Sequence, residues 1–154
     1  MQHQGVREEV LRRFQGLGVM GVVFHEGVED VDNEAIAAAL GIPLERVGKT
    51  LIVRAGQFFV AVVLRSTDRL DVRLLSRAVG VSRKRVRLAT RSELELLGCK
   101  PGLIPPTITR EKGLPGYVDV RALRAGWLVF SSGYPGVGVK VDTGSLLRIG
   151  YKVL

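Results

Sequence analysis

The 154-residue sequence predicts an α+β domain built on a mostly antiparallel, curled or closed sheet with flanking helices. Three observations lead there. Short runs rich in β-branched residues recur along the chain, most are joined by hairpin-like turn signals, and the segments of helical period between them are few and short. With 46% apolar and 25% charged residues the composition is that of a globular protein, and no apolar run approaches the roughly 18 residues that a membrane-spanning helix needs.

Taken in order, Val6, Val10, Leu11, Phe14 and Leu17 recur at helical spacing beside charged neighbours and predict an amphipathic helix over 6–17. VMGVVF (19–24) reads as a strand. DNEAIAAAL (32–40) reads as a helix capped by Asp32 or Asn33 and stopped by Gly41. KTLIVRA (49–55) and FFVAVVLR (58–65) are separated only by Gly56 and Gln57, the pattern of a tight hairpin. The second strand is apolar on both faces, so the hairpin belongs at the centre of the core. LDVRLLSRAVG (70–80) predicts a helix, SRKRVRLATR (82–91) a basic strand, and Thr90 with Glu93 a capping box opening a short helix that ends at Gly98. Residues 98–106, GCKPGLIPP, hold two glycines and three prolines, a composition that neither helices nor central strands tolerate. They predict a stiff, partly apolar loop. YVDV (117–120), WLVFSS (127–132) and VGVKV (137–141) read as strands, TGSLLRI (143–149) as a terminal helix and YKVL as a last strand.

Neither an internal repeat nor a long polar linker interrupts residues 1–154, so one domain is expected. The polar start, MQHQGVREEV, has no signal-peptide core and is expected of a soluble cytoplasmic protein with no membrane partner. Cys99 is alone, which excludes an internal disulfide, and two histidines with one cysteine make a zinc site improbable. No cofactor and no metal is implied. The formal net charge of +8 biases the chain toward polyanions such as nucleic acid. Arg83, Lys84, Arg85 and Arg87 form the densest basic stretch and are candidates for phosphate contact; the bland alternative is a solvated strand edge.

Lys49 is the sharpest candidate for chemistry. Side chains alternate with period two along a strand, so Lys49 points with Leu51 and Val53, and an inward ammonium must snorkel out, lose its charge or meet an anion. A carboxylate partner at the strand's mouth and an anionic ligand are the two readings. The familiar phosphate loops, nucleophile elbows and zinc motifs are missing from the sequence. His25 ends the first strand, where a structural role competes with ligand binding. Cys99 has little histidine to serve as its base, which favours a packed thiol over a nucleophile.

VGKTLIV (47–53), GCKPGLIPP with its G-x-x-x-P element, LPGYVDVRAL (114–123) and FSSGYPGVGVKV (130–141) occur in the order and spacing of one known family. The chain resembles the YbaK and prolyl-tRNA synthetase-associated editing domains from about residue 19 onward, and looks like a free-standing member. The resemblance implies a closed or nearly closed β-barrel with flanking helices, and hydrolysis in trans of the ester joining a wrong, small amino acid such as alanine or cysteine to a transfer RNA. It implies the tRNA acceptor end as partner, with an aminoacyl-tRNA synthetase as a further one. Lys49 matches the family's lysine, held to contact the terminal phosphate or the aminoacyl carbonyl. Gly102, Leu103, Ile104, Pro105 and Pro106 match the loop that walls the pocket. Asp119 matches the acidic residue after it, and Ser132 with Gly133 the small turn opposite; His25 joins this substrate-binding set. The alternative is a non-catalytic RNA- or nucleotide-binding or regulatory module on the same fold.

Overall fold

The computed structural model describes residues 2–154; Met1 lies outside them. In chain order the elements are α1 (Gln2–Arg13), β1 (Gly18–Phe24), α2 (Asn33–Leu40), β2 (Gly48–Ala55), β3 (Phe58–Arg65), α3 (Val72–Val79), β4 (Val86–Leu88), α4 (Arg91–Leu96), α5 (Ile108–Lys112), β5 (Gly116–Val118), α6 (Val120–Arg124), β6 (Trp127–Ser131), β7 (Val137–Asp142) and β8 (Lys152–Val153), with short 3-10 turns at Leu44–Arg46, Arg83–Arg85 and Thr143–Ile149. No helix among them is long and apolar enough to cross a membrane.

Local chemistry explains most boundaries. The Asp32 carboxylate accepts from the Ala35 N–H at 3.0 Å, and Gly41 in the left-handed region closes α2. Both halves of the Thr90–Glu93 capping box are formed at α4. The first helix ends at Arg13 because the chain turns through Gly16, which brings Leu17 into the core ahead of β1. The run YVDV is cut short at Val118: the Asp119 carboxylate accepts from the Arg121 N–H at 2.8 Å and starts α6. Most of the basic stretch is a 3-10 turn, and only Val86–Leu88 pairs as a strand.

Two sheets result. One has the order β1-β7-β6 and is antiparallel throughout; the other has the order β4-β2-β3-β5-β8, where β3–β5 and β5–β8 are parallel. β3 lies at the centre of the second sheet and is buried on both faces. Val60, Val62 and Leu64 pack under Leu75 of α3, while Val63 faces a core shared with the first sheet that contains Leu128, Phe130, Val139 and Val141. Val10 of α1 and Phe14 just after it, both fully buried, complete that shared core.

The expected closed or nearly closed barrel is not formed. Among the described residues the sheets are joined by one isolated parallel bridge, Val47 to Val129. Closure needs mutually consistent strand number, tilt and stagger, and β4, β5 and β8 have only three, three and two residues. Leu146 of the last 3-10 turn and Tyr151 pack into the core shared by the two sheets.

α1 is also tied to α5. The Arg13 guanidinium donates to both oxygens of Glu111 at 2.6 and 2.8 Å and reaches the Ser132 carbonyl at 3.3 Å. Arg110 returns the contact, donating to the Arg13 and Gln15 carbonyls.

Candidate active site

β2 pairs with β3 along its whole length, but β4 covers only Val53–Ala55 of its other edge. The Ala89 N–H extends that cover to the Ile52 carbonyl at 2.9 Å. Between there and the Val47–Val129 bridge the edge of β2 has no strand partner, and β2 and β6 splay apart. A cleft of about 330 Å³ opens in the splay. Its walls are Gly48 to Ile52 on one side and Val129 to Ser131 with Gly138 on the other; Pro101, Gly102 and Ile104 roof it, and His25, Asp30 and Val31 close one end.

Two glycines permit this shape. A Cβ on Gly48 would stand 2.7 Å from Cδ1 of Phe130, so glycine is what lets the ring lie against β2. Gly102 has φ +76, and a Cβ there would meet the Asp30 carbonyl carbon and Val31 Cγ1, each at 2.8 Å. The roof therefore rests directly on the segment between β1 and α2. Behind it the loop is anchored by the Tyr151 hydroxyl, which donates to the Pro106 carbonyl at 2.6 Å, and by the Thr107 hydroxyl, which donates to Glu111 at 2.7 Å.

The polar content of the cleft is small and unusual. His25 and Thr50 are 5% and 7% exposed, and neither His25 Nδ1 nor Thr50 Oγ1 has a hydrogen-bond partner among the described residues. Buried polar atoms are nearly always paired; of the unpaired ones among the described residues, these two share the cleft, while Ser66 Oγ and Thr109 Oγ1 lie outside it. The main chain adds to them. Amide groups alternate sides along a strand; Ile52 turns its carbonyl to Ala89 and Val47 turns its own to the Ser66 N–H on the β3 side. By that alternation the Thr50 N–H and C=O face the open edge.

Lys49 lines the same cleft, half-buried. Desolvation pushes its ammonium below the ordinary lysine range, and attraction to Asp68 offsets this only in part. Asp68 is committed elsewhere: it accepts from Arg65 at 2.8 and 3.2 Å and lies 3.3 Å from Arg121. Among the described residues no carboxylate comes within 4 Å of Lys49. Its charge is left for an anion or a polarised carbonyl.

Of the residues singled out in the sequence, Lys49, His25, Gly102 and Ile104 come together at the cleft. Leu103 is half-buried outside the lining, and Pro105 and Pro106 are buried beneath the roof. Asp119 caps α6 and pairs with Arg121 at 2.8 Å. Ser132 is fully buried, donating to the Val137 carbonyl at 2.6 Å, and Gly133 turns over Arg13; it is the neighbouring Ser131 that lines the cleft. Arg83, Lys84 and Arg85 are exposed, whereas Arg87 donates to both Glu93 oxygens at 2.7 and 3.1 Å. Cys99 is buried off the cleft, and burial pushes its thiol up. Sequence reasoning passed over Thr50, Gly48 and Phe130. The signal for Thr50 was the same period-two rule applied to the second face of β2, where it shares a phase with Ile52; for Gly48 it was a glycine at the head of an otherwise apolar strand.

A family model described as the aminoacyl-tRNA editing domain matches residues 25–149, a span that contains the whole lining of the cleft. The chain belongs to that family. The editing domain is 38% identical over 74 residues to a proline–tRNA ligase of Thiobacillus denitrificans, a match covering 47% of this chain and 12% of the length of that ligase. Among solved structures it superposes on hypothetical protein APE2540 with a TM-score of 0.79 at 25% identity, covering 96% of this chain and 95% of that one. It also superposes on a candidate trans-editing enzyme for prolyl tRNA synthetase with a TM-score of 0.76 at 23% identity, covering 98% and 93%; that second likeness is one of fold.

Proposed function

We propose that this editing domain is an aminoacyl-tRNA deacylase that hydrolyses, in trans, the ester of tRNA mischarged with a small amino acid such as alanine or cysteine. The observation that carries the reading is the cleft between β2 and β6, where an ammonium without a carboxylate partner and two orphaned buried polar atoms share about 330 Å³. That volume is at the lower end for ligand pockets and suits a terminal nucleoside with a small acyl group better than an extended strand.

An aminoacyl ester is already activated, so the domain has to place water against the carbonyl and stabilise the oxyanion that forms. Water adds to the carbonyl carbon, the bond to the ribose oxygen breaks, and a proton from the water ends on that oxygen; the products are free amino acid and tRNA with its terminal hydroxyl restored. Lys49 holds the terminal phosphate or the carbonyl oxygen. The Thr50 N–H and hydroxyl donate to the developing oxyanion, and His25 Nδ1 bonds a polar group of the aminoacyl moiety. Gly102 and Ile104 set the height of the roof and hence the size limit, with Leu103, Pro105 and Pro106 stiffening it. Asp119, Ser132 and Gly133 act through the scaffold that holds the walls. Discrimination by such a roof is modest, about 1–3 kcal/mol per methylene.

Single-turnover hydrolysis of a panel of mischarged tRNAs tests this. The expected result is turnover of the alanyl and cysteinyl species ahead of those with bulky side chains. Binding of tRNA with no turnover of any species would overturn the deacylase reading in favour of a non-catalytic RNA-binding module.

A further inference from the structure

The net charge of the chain is concentrated in one place. Residues 66–91 hold eight Lys and Arg against two Asp, a net of +6 out of +8 for the whole chain. Both aspartates are engaged: Asp68 by Arg65 and Arg121, and Asp71 by the Leu74 N–H it caps at 3.0 Å. Arg69, Arg73 and Arg77 are exposed at intervals of four residues, which places Arg73 and Arg77 on one stripe of α3 about 6 Å apart along its axis. The 3-10 turn that follows continues the patch with Arg83, Lys84 and Arg85. None of these six has a carboxylate within 4 Å among the described residues. A surface selected only for solubility mixes both signs evenly; this one is strongly one-sided, with Asp71 the one exposed carboxylate among these arginines and lysines.

The patch flanks the cleft. Leu51 lines the cleft and also packs against the cluster under α3, and Leu88, three residues after Arg85, lines the cleft mouth. Lys49 shares the face of β2 that α3 covers, so positive charge continues from the helix to the site.

We infer that Arg73 and Arg77 on the exposed stripe of α3, with Arg69 just ahead of the helix and Arg83, Lys84 and Arg85 in the turn after it, form the docking surface for the sugar-phosphate backbone of the tRNA acceptor stem, the 3′ end then entering the adjacent cleft. Arg87 is left out of the set, because its guanidinium is held by both Glu93 oxygens. This assignment rests on the deacylase reading for the identity of the RNA; the charge pattern alone specifies a phosphate backbone. Contacts of this kind release condensed counterions, and each phosphate neutralised on a duplex contributes about 0.9 to the slope of log K against log salt.

The test measures binding of uncharged tRNA between 50 and 200 mM salt for the parent, for Arg69→Gln/Arg73→Gln/Arg77→Gln, for Arg83→Gln/Lys84→Gln/Arg85→Gln, and for a control triple elsewhere on the surface, Arg12→Gln/Arg124→Gln/Arg148→Gln. A melting curve for each variant confirms folding, and either patch triple suffices if the other is unstable. Each patch triple should weaken binding at least tenfold at the lower salt and reduce the slope by about 2 to 3, with a far smaller change in the control. The ratio of kcat/KM on charged tRNA to that on a 3′-aminoacyl adenosine should fall at least tenfold in the patch triples. Unchanged affinity and slope, an equal loss in the control, or binding to vesicles containing an anionic lipid with none to tRNA would each overturn the assignment. If the parent binds tRNA through this patch yet hydrolyses neither substrate, the docking surface stands and the deacylase reading falls.

Discussion

Replacing Thr50 with valine should make the protein more stable and less active. Thr50 is 7% exposed and its hydroxyl has no partner among the described residues, so the folded state carries the desolvation cost of a polar group without the bond that offsets it. That cost is about 1–3 kcal/mol for a neutral group. Valine keeps the β-branch and nearly the shape of threonine, so Thr50→Val removes the cost without opening a cavity. Taking the low end, because the cleft admits solvent, a gain of about 1 kcal/mol raises the melting temperature by about 2–4 °C in a chain of this size. Activity should move the other way. A neutral hydrogen bond to the reacting group contributes about 0.5–1.5 kcal/mol, which corresponds to a loss of about 2- to 12-fold in single-turnover deacylation. Thr50→Ser separates the two effects: it retains the hydroxyl and should keep most of the rate while losing about 0.8 kcal/mol with the deleted methyl. A Thr50→Val protein that melts below the parent and hydrolyses at the parent's rate would refute the reasoning, since the hydroxyl would then serve the fold and not the ligand.

Lys49→Ala should fold normally and lose on the order of a hundred- to thousandfold in rate, by analogy with removal of one oxyanion donor, with Lys49→Arg recovering only part; because desolvation lowers the lysine's pKa, the parent's enzymatic rate should begin to fall at a pH below the ordinary lysine range, and full activity of folded Lys49→Ala would remove the residue from the mechanism. Gly102→Val places a side chain at φ +76 and against the Asp30 backbone, so it should cost about 1–3 kcal/mol in a melt and about a hundredfold in rate if the roof moves by about 1 Å; normal turnover would show that the roof does not set the site. Cys99→Ser should keep its rate within about threefold, whereas a loss above a hundredfold, roughly 2.7 kcal/mol, would identify the thiol as a nucleophile despite its burial.

What was readable in the sequence was local. The caps at Asp32 and Thr90, the two-residue turn at Gly56, and the strand between Phe58 and Arg65 with apolar residues on both faces each follow from chemistry within a few residues. Lys49 was readable because strand phase is itself local. The barrel was not, because closure depends on how far strands reach and pair around the ring, and β4, β5 and β8 stop after three, three and two residues. Thr50 was hidden for a related reason. A threonine in a strand is ordinary, and Thr50 stands out only when β6 diverges from β2 and leaves that edge without a strand partner. Asp119 was legible as a special residue, yet its carboxylate serves the start of α6 and Arg121.

The Arg13–Glu111 pair acts as a strut. It runs from the end of α1 to α5, and Glu111 in turn accepts from Thr107, the residue directly after the roof loop. The segment recognisable as an editing domain begins at His25, but the strut is founded before it, on a helix seated by Val10 and Phe14. The support behind the roof thus runs, through Arg13, to a helix that the family signature does not cover. Relatives that differ only ahead of that segment would keep the same cleft lining while resting its roof on a different foundation.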